Sequence, residues 1–171
     1  MLPVHPEEHR IGGIILQPGD LIFIRGTQGV AGPIKKLTQS PYTHIAGLVL
    51  NNKLIESQGL RKTGYQSVET YKGVSDIYIC QVLSIYQRDK IVSYVKQQIG
   101  TKYDYLLVGW LAARHLFGNV VPIYASRKRQ ICTTLWADAY KAAGIELCPG
   151  ISHPTPGELS KSKLLNYVGS Y

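Results

Sequence analysis

The stretch Tyr42-Thr-His-Ile-Ala-Gly-Leu-Val-Leu-Asn-Asn-Lys-Leu-Ile-Glu-Ser57 decides how the chain is read. Two apolar runs, Ile45 to Leu50 and Leu54-Ile55, flank Asn51-Asn52-Lys53, the pattern of two strands joined by a tight turn. His44 opens the first strand among small and apolar residues, where an imidazole is costly to bury unless it has partners. Glu56 is the only acid on the paired strand. Parity decides whether the two can meet. A two-residue Asn51-Asn52 turn puts them on opposite faces, because paired residues share a face and side chains alternate along each strand. A three-residue loop, Leu50-Asn51-Asn52, pairs His44 with Gln58 and makes Glu56 its diagonal neighbour. A working His44–Glu56 pair therefore requires the longer loop.

Working outward, Leu16-Gln-Pro-Gly-Asp20 reads as a turn and Leu21 to Ile24 as a short buried strand bounded by Arg25-Gly26. Gly29 to Ser40 suits a connector helix entered through Pro33 and stopped before Pro41. Tyr65 to Val68 and Asp76 to Val82 add strands around a Lys72-Gly73 turn, about five in all. Helical spacing then takes over in Asp89 to Ile99, Tyr105 to Phe117, Ile131 to Ala143 and Pro156 to Leu165. Strands early and helices late predict an α+β fold, with an antiparallel sheet or small barrel packed against helices. At 171 residues one core suffices, which divides the chain into a leader, 1–15, and a single domain, 16–171.

Cys132 stands at the start of the third of these helices, close after Arg127-Lys128-Arg129. A helix amino terminus and nearby cations favour thiolate over thiol, and the same helix start offers N–H groups to a developing oxyanion. A thiolate nucleophile wants an imidazole base, which a third group usually orients. His5 and His9 lie in the polar leader, His115 beside Arg114, and His153 in a Pro/Ser loop, so His44 is the candidate base and Glu56 the candidate orienting group. Cys80, within a strand, and Cys148, beside Pro149, read as structural cysteines. Tyr42 and Tyr103 are candidates for lining the cleft.

The formal charge of +8 favours anionic partners such as nucleic acid, acidic lipid or acidic wall polymers. The short basic run lacks the interleaved aromatics of a nucleic-acid reader. Three cysteines without a CxxC pair predict neither a disulfide framework nor a zinc site, and no HExxH or His/Asp cluster calls for a metal or other cofactor. The amino terminus lacks the basic start and apolar run of an export signal, and Leu106 to Phe117 falls short of the ~20 residues of a membrane span. The expectation is a cytoplasmic protein without a transmembrane segment.

Leu16-Gln-Pro-Gly-Asp-Leu-Ile-Phe23 followed by Tyr42 to Ser57 resembles the Pro-Gly-Asp strand and His strand of NlpC-type papain-like cysteine peptidases. In that family a third polar residue follows the His by twelve positions, which is where Glu56 stands. The nucleophile helix ordinarily precedes these strands. Here Cys132 follows His44 by 88 residues, so the resemblance is to the circularly permuted branch, which includes YiiX-like proteins and relatives of lecithin retinol acyltransferase. Gly100 to Tyr105 and Thr155 to Leu159 also look like YiiX-like segments. Ile131-Cys-Thr departs from the usual Asp-Cys-Ser. The resemblance implies a Cys132-His44-Glu56 triad cleaving amide bonds in peptides, including wall muropeptides; the missing export signal then points to a cytosolic hydrolase or to a phage-encoded or otherwise delivered protein. A lipid acyl hydrolase or acyltransferase of the same fold is the alternative, and a catalytically silent module gripping an anionic polymer is a third reading.

Overall fold

The computed structural model describes residues 9–11, 13–26, 40–59, 61–118 and 129–171. Strands β1 (His9–Ile11) and β2 (Ile14–Leu16) form a hairpin, followed by β3 (Leu21–Arg25), β4 (Tyr42–Leu50), β5 (Lys53–Glu56) and β6 (Gly64–Ser67). A 3₁₀ turn (Val68–Tyr71) leads to β7 (Ser75–Ile79) and helix α1 (Ile85–Gln97). Then come β8 (Lys102–Tyr103), α2 (Tyr105–Phe117), β9 (Arg129–Gln130), α3 (Cys132–Ala142), α4 (Pro156–Ser160) and β10 (Asn166–Ser170). Six strands make one antiparallel sheet in the order β10-β7-β3-β4-β5-β6. The mixed α+β class is as expected, and the sheet is open rather than closed into a barrel.

Alternation along the strands sorts the core into two layers. Leu21, Phe23, Ile45, Val49 and Ile55 pack with Ile91 and Val95 of α1 and with Leu135, Trp136 and Ala139 of α3. Ile22, Ile24, Ala46, Leu48, Leu54 and Ile77 pack with Val68, Tyr71 and the first hairpin's Ile11 and Leu16. The predicted leader boundary thus cuts through β2, because Ile11 and Leu16 have a sheet face to cover. The sixth strand of the sheet, β10, lies beyond the expected final helix, which stops at Ser160 after one capped turn around Thr155 and Glu158. Helix α1 begins four residues before the expected Asp89, since Ser84 and Gln87 form a capping box there. The connector helix expected over 29–40 lies, apart from Ser40, outside the described residues.

One contact fixes α3 on the sheet. The Trp136 ring sits close against Gly47, where an added Cβ would come within 2.3 Å of the ring, and the indole N–H donates to Ile55 O at 3.1 Å. Gly47→Ala must therefore push α3 away or distort β4. We expect a loss of about 1–3 kcal/mol, read as a lower urea midpoint at unchanged slope.

Candidate active site

Strand register brings the first two polar groups together. Gly47 pairs with Ile55 and Leu48 with Leu54, a count that continues to set Ala46 opposite Glu56 and His44 opposite Gln58. This is the alignment that a His44–Glu56 contact demands, yet the turn supplies it differently from the simple loop count. Leu50 still pairs with Lys53 across Asn51-Asn52, and a bulge between Leu48 and Leu50 shifts the register by one residue. Asn52 adopts φ 54°, the left-handed conformation that asparagine tolerates better than most residues.

The two side chains meet at 2.9 Å, His44 Nε2 to Glu56 Oε2. Both are well enclosed, with side-chain exposures of 14% and 5%. The same carboxylate oxygen accepts a short hydrogen bond from the Tyr71 hydroxyl. Burial alone raises a carboxyl pKa, but the His44 hydrogen bond and charge, the Tyr71 hydroxyl and the charge of Arg61 outweigh it and hold Glu56 below its usual range. Burial, then the hydrogen bond to Glu56, pushes Tyr71 well above an ordinary phenol, so it stays a donor.

The nucleophile candidate arrives on α3. Arg129-Gln130 pairs in parallel with Lys102-Tyr103, Ser57 Oγ donates to Gln130 O at 3.0 Å, and Thr134 Oγ1 accepts from Ile131 N at 3.1 Å. These contacts pin the chain just before Cys132, the first residue of the helix. Cys132 hydrogen-bonds to the His44 ring. With Nε2 engaged by Glu56, Nδ1 is the ring nitrogen left for the sulfur. Burial disfavours the imidazolium, but the negative charge of the Cys132 sulfur, that hydrogen bond and Glu56 overcome it and push His44 up to about 10. His44 is accordingly held as the imidazolium beside the sulfur.

The other candidates separate. Tyr103 lies close enough for the Cys132 charge to act on its hydroxyl, and its ring stacks edge-on with Tyr105 at 5.0 Å. Tyr42 is taken by the core: it is 7% exposed, and its hydroxyl donates to Asp76 Oδ2 at 2.8 Å and meets the Tyr78 hydroxyl at 3.1 Å. A register shift beside Thr43, between the Ile24–His44 and Arg25–Tyr42 pairs, turns Tyr42 toward Phe23 and Tyr78 and away from a cleft-lining role. Tyr71 is the member that sequence reasoning misses, being one of twelve tyrosines and set by the 3₁₀ turn rather than by a motif. Cys80 and Cys148 stay apart from the site; burial raises both thiols, Cys148 to about 11. Cavities of about 280, 570 and 520 Å³ lie elsewhere, around Cys148 and along α1, and none of these is lined by Cys132, His44 or Glu56.

Glu56→Gln tests the electrostatics. A depressed carboxyl pKa contributes stability that is present above its ordinary value of 4.5 and drains away as pH falls through its lower folded value. The wild type should exceed Glu56→Gln in urea midpoint at neutral pH, and the two curves should converge as pH drops below 4.5.

No protein-family model matches the chain, and no curated protein matches it in sequence. Among solved structures it superimposes on the crystal structure of the metalloprotein yiiX from Escherichia coli O157:H7 with a TM-score of 0.68 and 18% identity, covering 91% of this chain and 97% of that one. The metal is a property of that protein. Among the described residues here, no group of three or more His, Cys, Asp or Glu side chains is placed to hold one. The chain therefore shares the overall fold of that protein.

Proposed function

We propose that the protein is a cysteine hydrolase of the permuted papain-like kind that cleaves amide bonds in peptides, with wall muropeptides as the favoured class. The observation that carries this reading is His44 bridging the Cys132 sulfur and the Glu56 carboxylate. The thiolate attacks the acyl carbon, and the carbonyl electrons move to oxygen. The amides of Cys132 and Thr133, which precede the first intrahelical bonds of α3, receive that oxyanion. His44 passes its proton to the leaving amine, then withdraws one from the water that releases the acyl group and restores the thiolate–imidazolium pair. Glu56 keeps the ring oriented through both transfers, and Tyr71 keeps Glu56 charged and in place. The net charge of +8 suits an anionic polymer substrate.

A lipid acyl ester is the second reading, favoured by the apolar outer face of α2 close to Tyr103. Both readings predict an acyl group on Cys132. Intact mass spectrometry after brief exposure to muropeptides, peptide amides or lipid esters identifies which is transferred, and we expect the peptide acyl adduct on wild type and none on Cys132→Ala. Lipid adducts alone would replace the first reading by the second. Absence of any adduct or turnover with all three classes would leave a silent binding module and overturn the hydrolase proposal.

A further inference from the structure

Helix α2 carries a surface that the triad does not explain. Its exposed residues include Tyr105, Leu106, Leu116 and Phe117, at 53, 60, 67 and 69% exposure, whereas Leu107 faces the body at 4%. At 100° per residue, positions 105, 106, 109, 110, 112, 113, 116 and 117 fall in one stripe about 160° wide. Apart from the Tyr105 hydroxyl and the Trp110 indole N–H, that stripe carries no polar side-chain group. Gly109, within it, has nothing within 4 Å of where a Cβ would stand. Tyr105, Leu106, Gly109, Leu116 and Phe117 are exposed within it and Trp110, Ala112 and Ala113 half-buried, Trp110 with its ring edge-on to His153; an apolar band of this extent is unusual on a surface that meets only water.

Charge selects the occupant. From Tyr105 to Ala137 the sequence holds no Asp or Glu. The Arg114 guanidinium lies 5.5 Å from the Trp110 ring centroid, a cation kept at the edge of the apolar stripe. At the foot of the helix, exposed Lys102 and Arg129 are direct partners in the β8–β9 ladder. Like charges placed opposite one another repel, an arrangement that an anionic surface relieves. The thirteen-residue helix is about 20 Å long, short of the ~30 Å of a bilayer core, and no described helix is long and apolar enough to cross a membrane. Apolar band, cationic border and short length together describe a helix that lies in the interface.

We infer that the α2 face docks on an anionic lipid bilayer, with Leu106, Trp110 and Phe117 entering the headgroup boundary and Lys102, Arg114 and Arg129 meeting lipid phosphates. Helix α2 starts two residues after Tyr103, so docking brings the Cys132 region to the membrane surface. Binding requires no turnover and stands or falls apart from the hydrolase reading.

Co-sedimentation of the full chain with phosphatidylcholine vesicles, with and without phosphatidylglycerol, tests this at low and high salt. We expect binding to the anionic vesicles that weakens with salt, and a loss of about 10²-fold in affinity for Leu106→Glu/Phe117→Glu. Both side chains are more than half exposed, so the variant should melt with wild type. A blue shift of Trp110 emission, absent in Trp110→Phe, should accompany binding, since Trp136 is already fully buried. Equal binding to neutral and anionic vesicles, or undiminished binding by the glutamate variant, would overturn the proposal. So would a self-association that the glutamate variant abolishes in a chain that binds no vesicles, which would make the face a protein interface.

Discussion

Replacing His44 by Gln should slow alkylation of Cys132 by iodoacetamide about 10²-fold at pH 6, because the sulfur loses the imidazolium charge that stands beside it. Gln fills much of the imidazole volume, which limits any gain in access to a residue only 5% exposed. The pH dependence carries the sign. His44 is raised from 6.5 to about 10, so its imidazolium persists across the neutral range and is lost as pH rises through the upper value. Wild-type labelling should stay nearly flat from pH 6 to 8, while the variant climbs with pH. Cys80 and Cys148, both raised by burial, serve as slow internal references in each protein. Peptide mass mapping of the labelled sites reads all three together, and equal wild-type rates at the three cysteines would refute the activated pair.

The largest stability effect is expected at Arg88. Its guanidinium donates to Asp20 Oδ1 at 2.8 Å, Pro18 O at 2.9 Å and Cys80 O at 3.3 Å, tying α1 to the Pro-Gly-Asp turn and to the end of β7. Asp20 is 3% exposed at the side chain, and its other oxygen accepts from Gln17 N at 2.8 Å. Arg88→Met keeps the stem but strands a buried carboxylate and two carbonyls, and should cost about 3–5 kcal/mol at neutral pH. Burial already raises the Asp20 pKa against the opposing charge of Arg88, and losing that charge raises it further. A raised carboxyl pKa gives stability that is full below the unfolded value and lost as pH rises through the folded one. The deficit of Arg88→Met should therefore shrink as the pH is lowered toward 4, measurable as converging urea midpoints. A deficit independent of pH would place the cost in the lost carbonyl contacts alone.

Local signals make the parts of the site readable from the residues alone. The Pro-Gly-Asp turn, the His44 hairpin and the helix opening at Cys132 each combine a turn or terminus with an apolar run, and such features depend on neighbours in the chain. The bulge between Leu48 and Leu50 is legible only as a requirement, because a two-residue asparagine turn and a bulged one share the same residues. Tyr71 and Tyr42 are beyond reach for a different reason. The place of each depends on tertiary packing: Tyr71 on the 3₁₀ turn beneath Glu56, Tyr42 on the shift beside Thr43 that turns it to Asp76. Strand β10 carries a bulge and a glycine at φ 153°, which erase the alternation that would announce it.

The hairpin that unites His44 and Glu56 also sets an order of events during folding. Their pairing closes a separation of twelve residues, whereas the sulfur lies 88 residues from the imidazole. Loop-closure entropy makes the longer closure dearer by about 2 kcal/mol. The base and its carboxylate can thus assemble early from a local turn, and the thiol joins only when α3 docks through Trp136 and Gly47. Until then Cys132 has no imidazole beside it in the nascent chain, and it gains one only when that long-range contact forms.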